Sequence, residues 1–258
     1  MLLKDKVAII TGGASGIGRG IAVKFAEEGS SVAVIDIAEP EGEQTAAEAS
    51  QKGGDGIFVL CNVTSRREVQ EMVDKVMRIF GRIDILVNNA GGIPGAGSGS
   101  ITDITEEQWD KIVDLNLKGQ FLCCQAVAPY MIERKFGKII NVSSLGAVHP
   151  PASIVHYHAA KGGVLSLTTN LAFELASYNI NVNAILPGPV RTDFYTGILE
   201  NVPDKEAFFT ELGRKVPLQR MGTPEDIAGV ALFLASELSS YVTGEAIRVG
   251  GGLPLSPG

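Results

Sequence analysis

Short, continuously apolar runs rich in β-branched residues recur along the chain. They are Val7-Ala8-Ile9-Ile10, Val32-Ala33-Val34-Ile35, Ile57-Phe58-Val59-Leu60, Ile85-Leu86-Val87, Lys138-Ile139-Ile140-Asn141-Val142, Val182-Asn183-Ala184-Ile185-Leu186 and Ala246-Ile247-Arg248-Val249. Runs that fail to alternate apolar with polar positions read as strands covered on both faces. The longer segments between them carry helical periodicity. Val69, Met72, Val73, Val76, Met77 and Phe80 repeat at three and four, and Gly81 stops that helix before the next strand. Residues Ala152 to Ala176 read as a further helix. Strand and helix alternating throughout predicts an α/β fold built from right-handed βαβ units. The expectation is a single-domain doubly wound parallel sheet (a Rossmann fold) over residues 1–258, with about seven strands and helices on both faces.

Two stretches break the rhythm. Gly91 to Ser100 is a Gly/Ser/Pro-rich loop after the fourth strand, and Pro187 to about Pro217 is long and irregular, with Phe194, Tyr195, Ile198, Leu199, Phe208 and Phe209 spread through it. A long connection inside a compact domain is usually functional, so residues 189–217 are a candidate substrate lid, with a surface helix docking its own apolar face as the alternative.

Composition narrows the class. The 258 residues are 45% hydrophobic and 20% charged, with no biased tract, which is globular and leaves a core of useful size. The net charge of −7 is scattered, with no basic stripe for a phosphodiester backbone, so nucleic acid is not an expected partner. No apolar run approaches a bilayer span, and Met1-Leu2-Leu3-Lys4-Asp5-Lys6 leads directly into a strand pattern rather than a signal peptide. Cys61, Cys123 and Cys124 form no C-x-x-C and read as buried thiols. A cytoplasmic setting is expected.

The first strand runs into Thr11-Gly12-Gly13-Ala14-Ser15-Gly16-Ile17-Gly18 and then a helix. Glycines there let the backbone turn sharply and approach a pyrophosphate placed on the helix N-terminus. The second strand ends at Asp36, eighteen residues past Gly18. A carboxylate there accepts hydrogen bonds from the adenosine ribose hydroxyls and repels a 2′-phosphate. Ile37-Ala38 follow it without a cation, and Ser15 is uncharged, which favours NAD over NADP.

Tyr157 and Lys161 are four apart in a helical segment and share one face. A phenol of ordinary pKa, about 10, is a poor base near neutrality. A neighbouring ammonium is expected to lower it and make a usable proton acceptor or donor. The strand ending at Val142 runs into Ser143-Ser144, at the carboxyl end where open α/β sheets place ligands. A hydroxyl there can donate to a carbonyl oxygen and stabilise a developing alkoxide.

With Thr11-Gly12-x-x-x-Gly16-x-Gly18, Asn88-Asn89-Ala90-Gly91, Asn116, Ser144, Tyr157-x-x-x-Lys161 and Pro187-Gly188 in this order, the chain resembles the short-chain dehydrogenase/reductase family over nearly its whole length. The thirteen residues from Ser144 to Tyr157 agree with that resemblance. It implies that Tyr157 is the general acid/base, that Ser144 orients the substrate oxygen, that Lys161 lowers the Tyr157 pKa and holds the nicotinamide ribose, and that Asn116 positions a water. It further implies cofactor contacts at Gly12, Ser15, Gly16, Ile17, Gly18, Asp36, Ile37, Asn62 and Val63, along Asn89, Ala90 and Gly91, and at Pro187, Gly188, Val190 and Thr192 beside the nicotinamide. Ser143 is expected to shape the loop. Homotetramers, formed partly through the last strand and the helix before it, are also implied.

The match departs at three places. Asn62 stands where the family commonly has an Asp toward the adenine amino group, and its carbonyl can still accept that bond. Gly250 interrupts the usual Asp-Gly-Gly, and the Gly92–Ser100 loop is longer than typical. Candidate substrate contacts are Ser144, His149, Ile154, Tyr157 and Phe194, in a pocket drawn from Leu145–Ile154 and Thr192–Phe209, whose mixture of side chains suits a moderately apolar small molecule. His149 and His156 flank the reacting residues, as polar substrate contacts or as ordinary partly buried histidines. His156 and His158, at i and i+2, point apart on a helix and make no metal site. The expected activity is NAD(H)-dependent interconversion of a secondary alcohol and a ketone. Reduction of a 3-oxoacyl thioester, which in this family usually goes with NADPH, is the alternative. A silent NAD-binding scaffold is disfavoured because Ser144, Tyr157 and Lys161 are all present.

Overall fold

A computed structural model describes residues 1–95, 101–151, 153–195, 199 and 202–253, the side chain of Asp193 excepted. Its strands are β1 (Val7–Thr11), β2 (Ser31–Asp36), β3 (Gly56–Leu60), β4 (Ile85–Asn88), β5 (Gly137–Val142), β6 (Ile180–Pro187) and β7 (Ala246–Val249). All pair in parallel in the order β3-β2-β1-β4-β5-β6-β7. The order reverses between β1 and β4, and ligands bind such sheets at that switch point, outside the carboxyl ends of the strands.

The helices are α1 (Gly16–Glu27), α2 (Glu39–Lys52), α3 (Arg66–Phe80), α4 (Glu106–Val113), α5 (Gly119–Arg134), α6 (Val155–Leu175), α7 (Lys205–Arg214) and α8 (Pro224–Ala235). Side chains alternate across a strand, so the apolar runs inside the sheet feed two cores. Ala8, Ile10, Val32 and Val34 pack with Ile21, Phe25, Ala46, Ile227 and Ala231 of α1, α2 and α8. Val7, Ile9, Ala33 and Ile35 pack with Val69, Met72, Leu122, Val127 and Ala172 of α3, α5 and α6. That is why these strands lack alternation. Helix ends follow the local chemistry. Ser65 caps α3, Gly81 ends it at φ 71°, and Thr105 with Gln108 forms a capping box that starts α4.

Three differences from the sequence expectation matter for the site. The helix carrying Tyr157 starts at Val155 rather than Ala152, because Ile154 sits in the left-handed region at φ 44°, ψ 49° and breaks helical continuity. Helices α4 and α5 are joined through a π-helical turn over Asp114–Lys118, which periodicity did not reveal. The irregular stretch contains a 3₁₀ turn, Asp193–Tyr195, and helix α7. Residues 196–198, 200 and 201 of that stretch, and 96–100 of the Gly-rich loop, lie outside the described residues.

Candidate active site

The glycine loop is bare because its neighbours leave no room. A Cβ on Gly18 would come within 2.0 Å of the Gly12 carbonyl oxygen, and one on Gly12 within 2.8 Å of Ala90 Cα. Thr11, at the end of β1, ties this loop to the switch point. Its hydroxyl accepts from the Asn89 and Ala90 N–H groups at 3.0 Å, while the Asn89 amide donates to the Thr11 and Gly12 carbonyls at 3.0 Å. Ser15 caps α1 without a side-chain hydrogen bond to its first turn, so those N–H groups are not taken by the cap. Thr192 lies against Gly16, where a Cβ would sit 3.2 Å from its methyl carbon, and Val190 bridges to Gly222. The chain after Pro187-Gly188 is thereby brought onto the loop.

Asp36 ends β2 beside this loop. Its Oδ2 accepts from the Ala14 N–H at 3.0 Å, and its Oδ1 from Ile37 and Ala38 at 2.7 and 3.1 Å. A carboxylate offers about four acceptor sites, so with three taken about one, on Oδ2, remains for a hydroxyl donor. A bare backbone over a helix N-terminus and a fixed carboxylate across from it are what a dinucleotide's pyrophosphate and adenosine ribose require; the residues present fit such a cofactor. Ile37 is 71% exposed beside Asp36, and Val63 is buried against Gly119. Asn62 lies just past β3. Its carbonyl oxygen already accepts from the Thr64 N–H at 3.0 Å and the Thr64 hydroxyl at 2.9 Å. An amide oxygen has two lone pairs, so an adenine amino group would have to displace one of those donors.

The chemical end gathers at the carboxyl ends of β4 and β5. Asn88, Asn141, Thr168 and Cys124 form a buried polar network beneath it, with the Asn88 amide donating to Asn141 Oδ1 at 2.9 Å and the Asn141 amide to the Thr168 hydroxyl at 2.9 Å. The Ser143 hydroxyl donates to the Lys161 carbonyl at 2.8 Å, fastening the loop to α6 as its expected shaping role requires. Ser144 starts a 3₁₀ turn (Leu145–Ala147), its hydroxyl accepting from the Gly146 N–H at 3.1 Å and lying close enough to Tyr157 to favour the ionised phenol. Lys161 Nζ donates to the Val142 carbonyl at 2.9 Å and lies 5.7 Å from the Tyr157 ring centre. Asn116 sits in the π-helical turn; its amide donates to the Gly92 and Ile112 carbonyls at 2.8 and 3.0 Å, and its carbonyl accepts from the Gly92 N–H at 3.0 Å. A Cβ on Gly91 would come 2.7 Å from Asn116 Oδ1 and 3.1 Å from Lys161 Nζ. The widened turn thus aims Asn116 at the strand end where Gly91 and Lys161 meet.

The electrostatics differ from what the Tyr-x-x-x-Lys spacing predicted. Burial pushes the Tyr157 phenol up to about 12; the Ser144 hydrogen bond pulls it down, and nearby Tyr195 raises it again. Burial pulls the Lys161 ammonium down to about 7. Desolvation is the first cause for both groups and the only one acting on Lys161.

On the substrate side, Tyr157, Ile112, Ile93 and Ile154 form a small apolar cluster. Phe194 approaches the Tyr157 ring at 5.9 Å and continues through Tyr195 to Phe208 and Phe209 at 5.5 to 6.1 Å. Arg191 lies over the Phe209 ring at 4.7 Å and pairs with Glu206. His149 is exposed. His156 is fully buried with neither nitrogen hydrogen-bonded, so it cannot be a substrate contact as it stands. His158, set aside by the sequence reading, is the histidine that meets Tyr157, with ring centres 5.6 Å apart. Gly250 also has a physical explanation: a Cβ there would come 2.3 Å from Leu145 Cδ1, and Gly188 approaches its Cα closely. Leu145 fills the space that a side chain at 250 would need.

A parallel sheet with a dinucleotide-shaped switch point, and a Ser–Tyr–Lys cluster beside it, define an oxidoreductase that works with a nicotinamide cofactor. A family model described as "Enoyl-(Acyl carrier protein) reductase" matches residues 12–254. A 3-oxoacyl-(acyl-carrier-protein) reductase FabG of Thermotoga maritima is 44% identical over 255 residues, covering 99% of this chain and 100% of its own. The (2S)-((R)-hydroxy(phenyl)methyl)succinyl-CoA dehydrogenase subunit BbsD of Thauera aromatica is 38% identical and fully covered. Among solved structures, levodione reductase superposes with a TM-score of 0.92 at 32% identity, covering 97% of this chain and 98% of that one. The chain belongs to the short-chain dehydrogenase/reductase family.

Proposed function

We propose that the protein interconverts a secondary alcohol and a ketone with NAD(H), using Tyr157 as the general acid/base. The observation that carries this reading is the half-buried Ser144 beside the buried Tyr157 phenol, with Lys161 behind them, at the sheet end that also bears the glycine loop and Asp36. The nicotinamide, when bound, accepts or supplies the hydride. The protein's part is orientation and proton transfer. Ser144 holds the substrate oxygen against the phenol, and Tyr157 takes the alcohol's proton or returns one to the ketone oxygen. Asn116 and Lys161 hold the polar side of the pocket next to Gly91. Gly12, Ser15, Gly16, Ile17 and Gly18 would seat the pyrophosphate, Asp36 and Ile37 the adenosine, and Val190 and Thr192 the nicotinamide. Asp36, fixed by three backbone N–H groups with no cation at Ile37 or Ala38, supports NAD over NADP.

The substrate is a small, moderately apolar molecule, held under residues 189–217 as a lid. Phe194 beside Tyr157 and the Ile93–Ile154 cluster support that reading. Reduction of a 3-oxoacyl thioester is a second reading, favoured by the names of relatives up to 44% identical. The chain acts as one unit and assembles as a homotetramer. β7 lies at the sheet edge, and Leu238 and Tyr241 just before it are exposed, which supports assembly there. No helix among the described residues is long and apolar enough to cross a membrane, and a cytoplasmic location is proposed. Turnover of secondary alcohols and of acetoacetyl-CoA, with NAD and NADP in parallel, separates the readings. NAD-linked alcohol oxidation is expected, whereas NADPH-linked thioester reduction alone would replace the first reading with the second.

A further inference from the structure

We propose that His158, one residue past Tyr157, is a positioning residue that locks the Ser144–Tyr157 pair in register. The proposal rests on the reading that this pair handles the proton.

Three contacts converge on the His158 ring. The first is with the turn after Ser144. A Cβ on Gly146 would lie 2.5 Å from His158 Cδ2 and 2.6 Å from Nε2, so the ring is pressed onto the Gly146 backbone. That same backbone supplies the N–H that donates to Ser144 Oγ at 3.1 Å. Holding Gly146 in place therefore holds the Ser144 hydroxyl.

The second contact is with Tyr157. The two rings meet edge-on, with centres 5.6 Å apart and planes at 67°, which limits rotation of the phenol. The third is with the chain entering α6: the Ser153 backbone faces the imidazole and favours its charged form against burial, and the His158 backbone N–H donates to the Ile154 carbonyl at 3.2 Å. The next residue, Ile154, is β-branched and sits at φ 44°, an unfavourable conformation that persists only where the surroundings over-determine it. Ile154 in turn packs beside Tyr157 and Ile112. One ring thus joins the Ser144 turn, the Tyr157 phenol and the strained entry to α6.

Its chemistry suits the task. His158 is 9% exposed; burial holds its imidazole below the usual range, the Ser153 backbone pulls it up, and neighbouring His156 pulls it down again. An Ala at 158 keeps the helix but removes all three contacts. Gly146 has no left-handed φ, so Ala there is obstructed only by the His158 ring.

A double-mutant cycle over Gly146→Ala and His158→Ala tests this directly. Each single variant is expected to lower kcat by about 10- to 100-fold, the scale on which a displacement of roughly 1 Å matters, with the KM for the cofactor within about twofold. In the His158→Ala background the Gly146→Ala penalty should shrink to about twofold or less, since the obstructing ring is gone. His158→Gln and His158→Asn, which keep a donor, should each regain part of the lost kcat, and thermal midpoints show that all variants fold. Wild-type kcat in His158→Ala, or penalties that simply multiply, would overturn the proposal while leaving the reading of the site intact. A wild-type protein without turnover on any alcohol or ketone would defeat that reading and the proposal with it.

Discussion

Burial pushes the Tyr157 phenol up to about 12 and the Lys161 ammonium down to about 7, and of the two only Lys161 is thereby held away from the form it takes in water near neutrality. Such groups cost stability where they serve function. For Lys161 the direction is set by a folded pKa near 7 against an ordinary 10.5. The cost is complete below pH 7, where both states are protonated, and fades as pH rises from 7 toward 10.5. Lys161→Met should abolish turnover yet stabilise the fold. Of the several kcal/mol at stake, roughly 1–3 kcal/mol should appear as a higher Tm near pH 7. The Val142 carbonyl keeps the Gln120 amide at 3.1 Å after Lys161 is removed, so no acceptor is orphaned. Thermal unfolding of both proteins across pH 6.5 to 10 checks the sign; an advantage that grew with pH would contradict it. Tyr157, Lys161 and Ser144 were legible in the sequence as residue types at a telling spacing. The balance of their electrostatics was not, because desolvation depends on neighbours from α4, β5 and the 190s segment that no local pattern reveals.

At the scale of elements, the glycine loop makes the sharpest demand. Gly18 lies in the first turn of α1 with no space for a Cβ, which would come 2.0 Å from the Gly12 carbonyl oxygen. Gly18→Ala must push the loop off β1, and dinucleotide binding should weaken by at least about tenfold, read as NAD affinity by calorimetry. Unchanged affinity would mean that the loop does not seat the cofactor. Strands β1 to β6 were readable because each feeds cores on both faces, whereas β7 packs only Ile247 and Val249 on one face and was readable from those β-branched residues. The start of α6 was not, since Ile154 is held at positive φ by packing against Tyr157 and Ile112 rather than by any Gly or Pro. Nor was the π-helical turn at Asp114–Lys118, whose single extra residue leaves the apolar spacing on either side intact. His158 was missed for a related reason. Its partner Gly146 lies twelve positions away and declares itself only through the space it leaves.

For the whole molecule, β7 ends the sheet with one edge facing outward, and Leu238 and Tyr241 stand 66% and fully exposed just ahead of it. Assembly through this edge predicts a tetramer by light scattering, and Leu238→Asp with Tyr241→Asp should shift it to smaller species. A monomeric wild type would contradict the proposed assembly. The larger claim is that the switch point and the Ser144–Tyr157–Lys161 cluster form one catalytic centre. The most direct test is steady-state turnover of secondary alcohols and ketones by the wild type and Tyr157→Phe, with NAD(H) and NADP(H) in parallel. The account predicts NAD-linked turnover by the wild type, a loss of about 10²- to 10⁴-fold or more in Tyr157→Phe, and nearly unchanged NAD binding. Turnover that survived in Tyr157→Phe would contradict it.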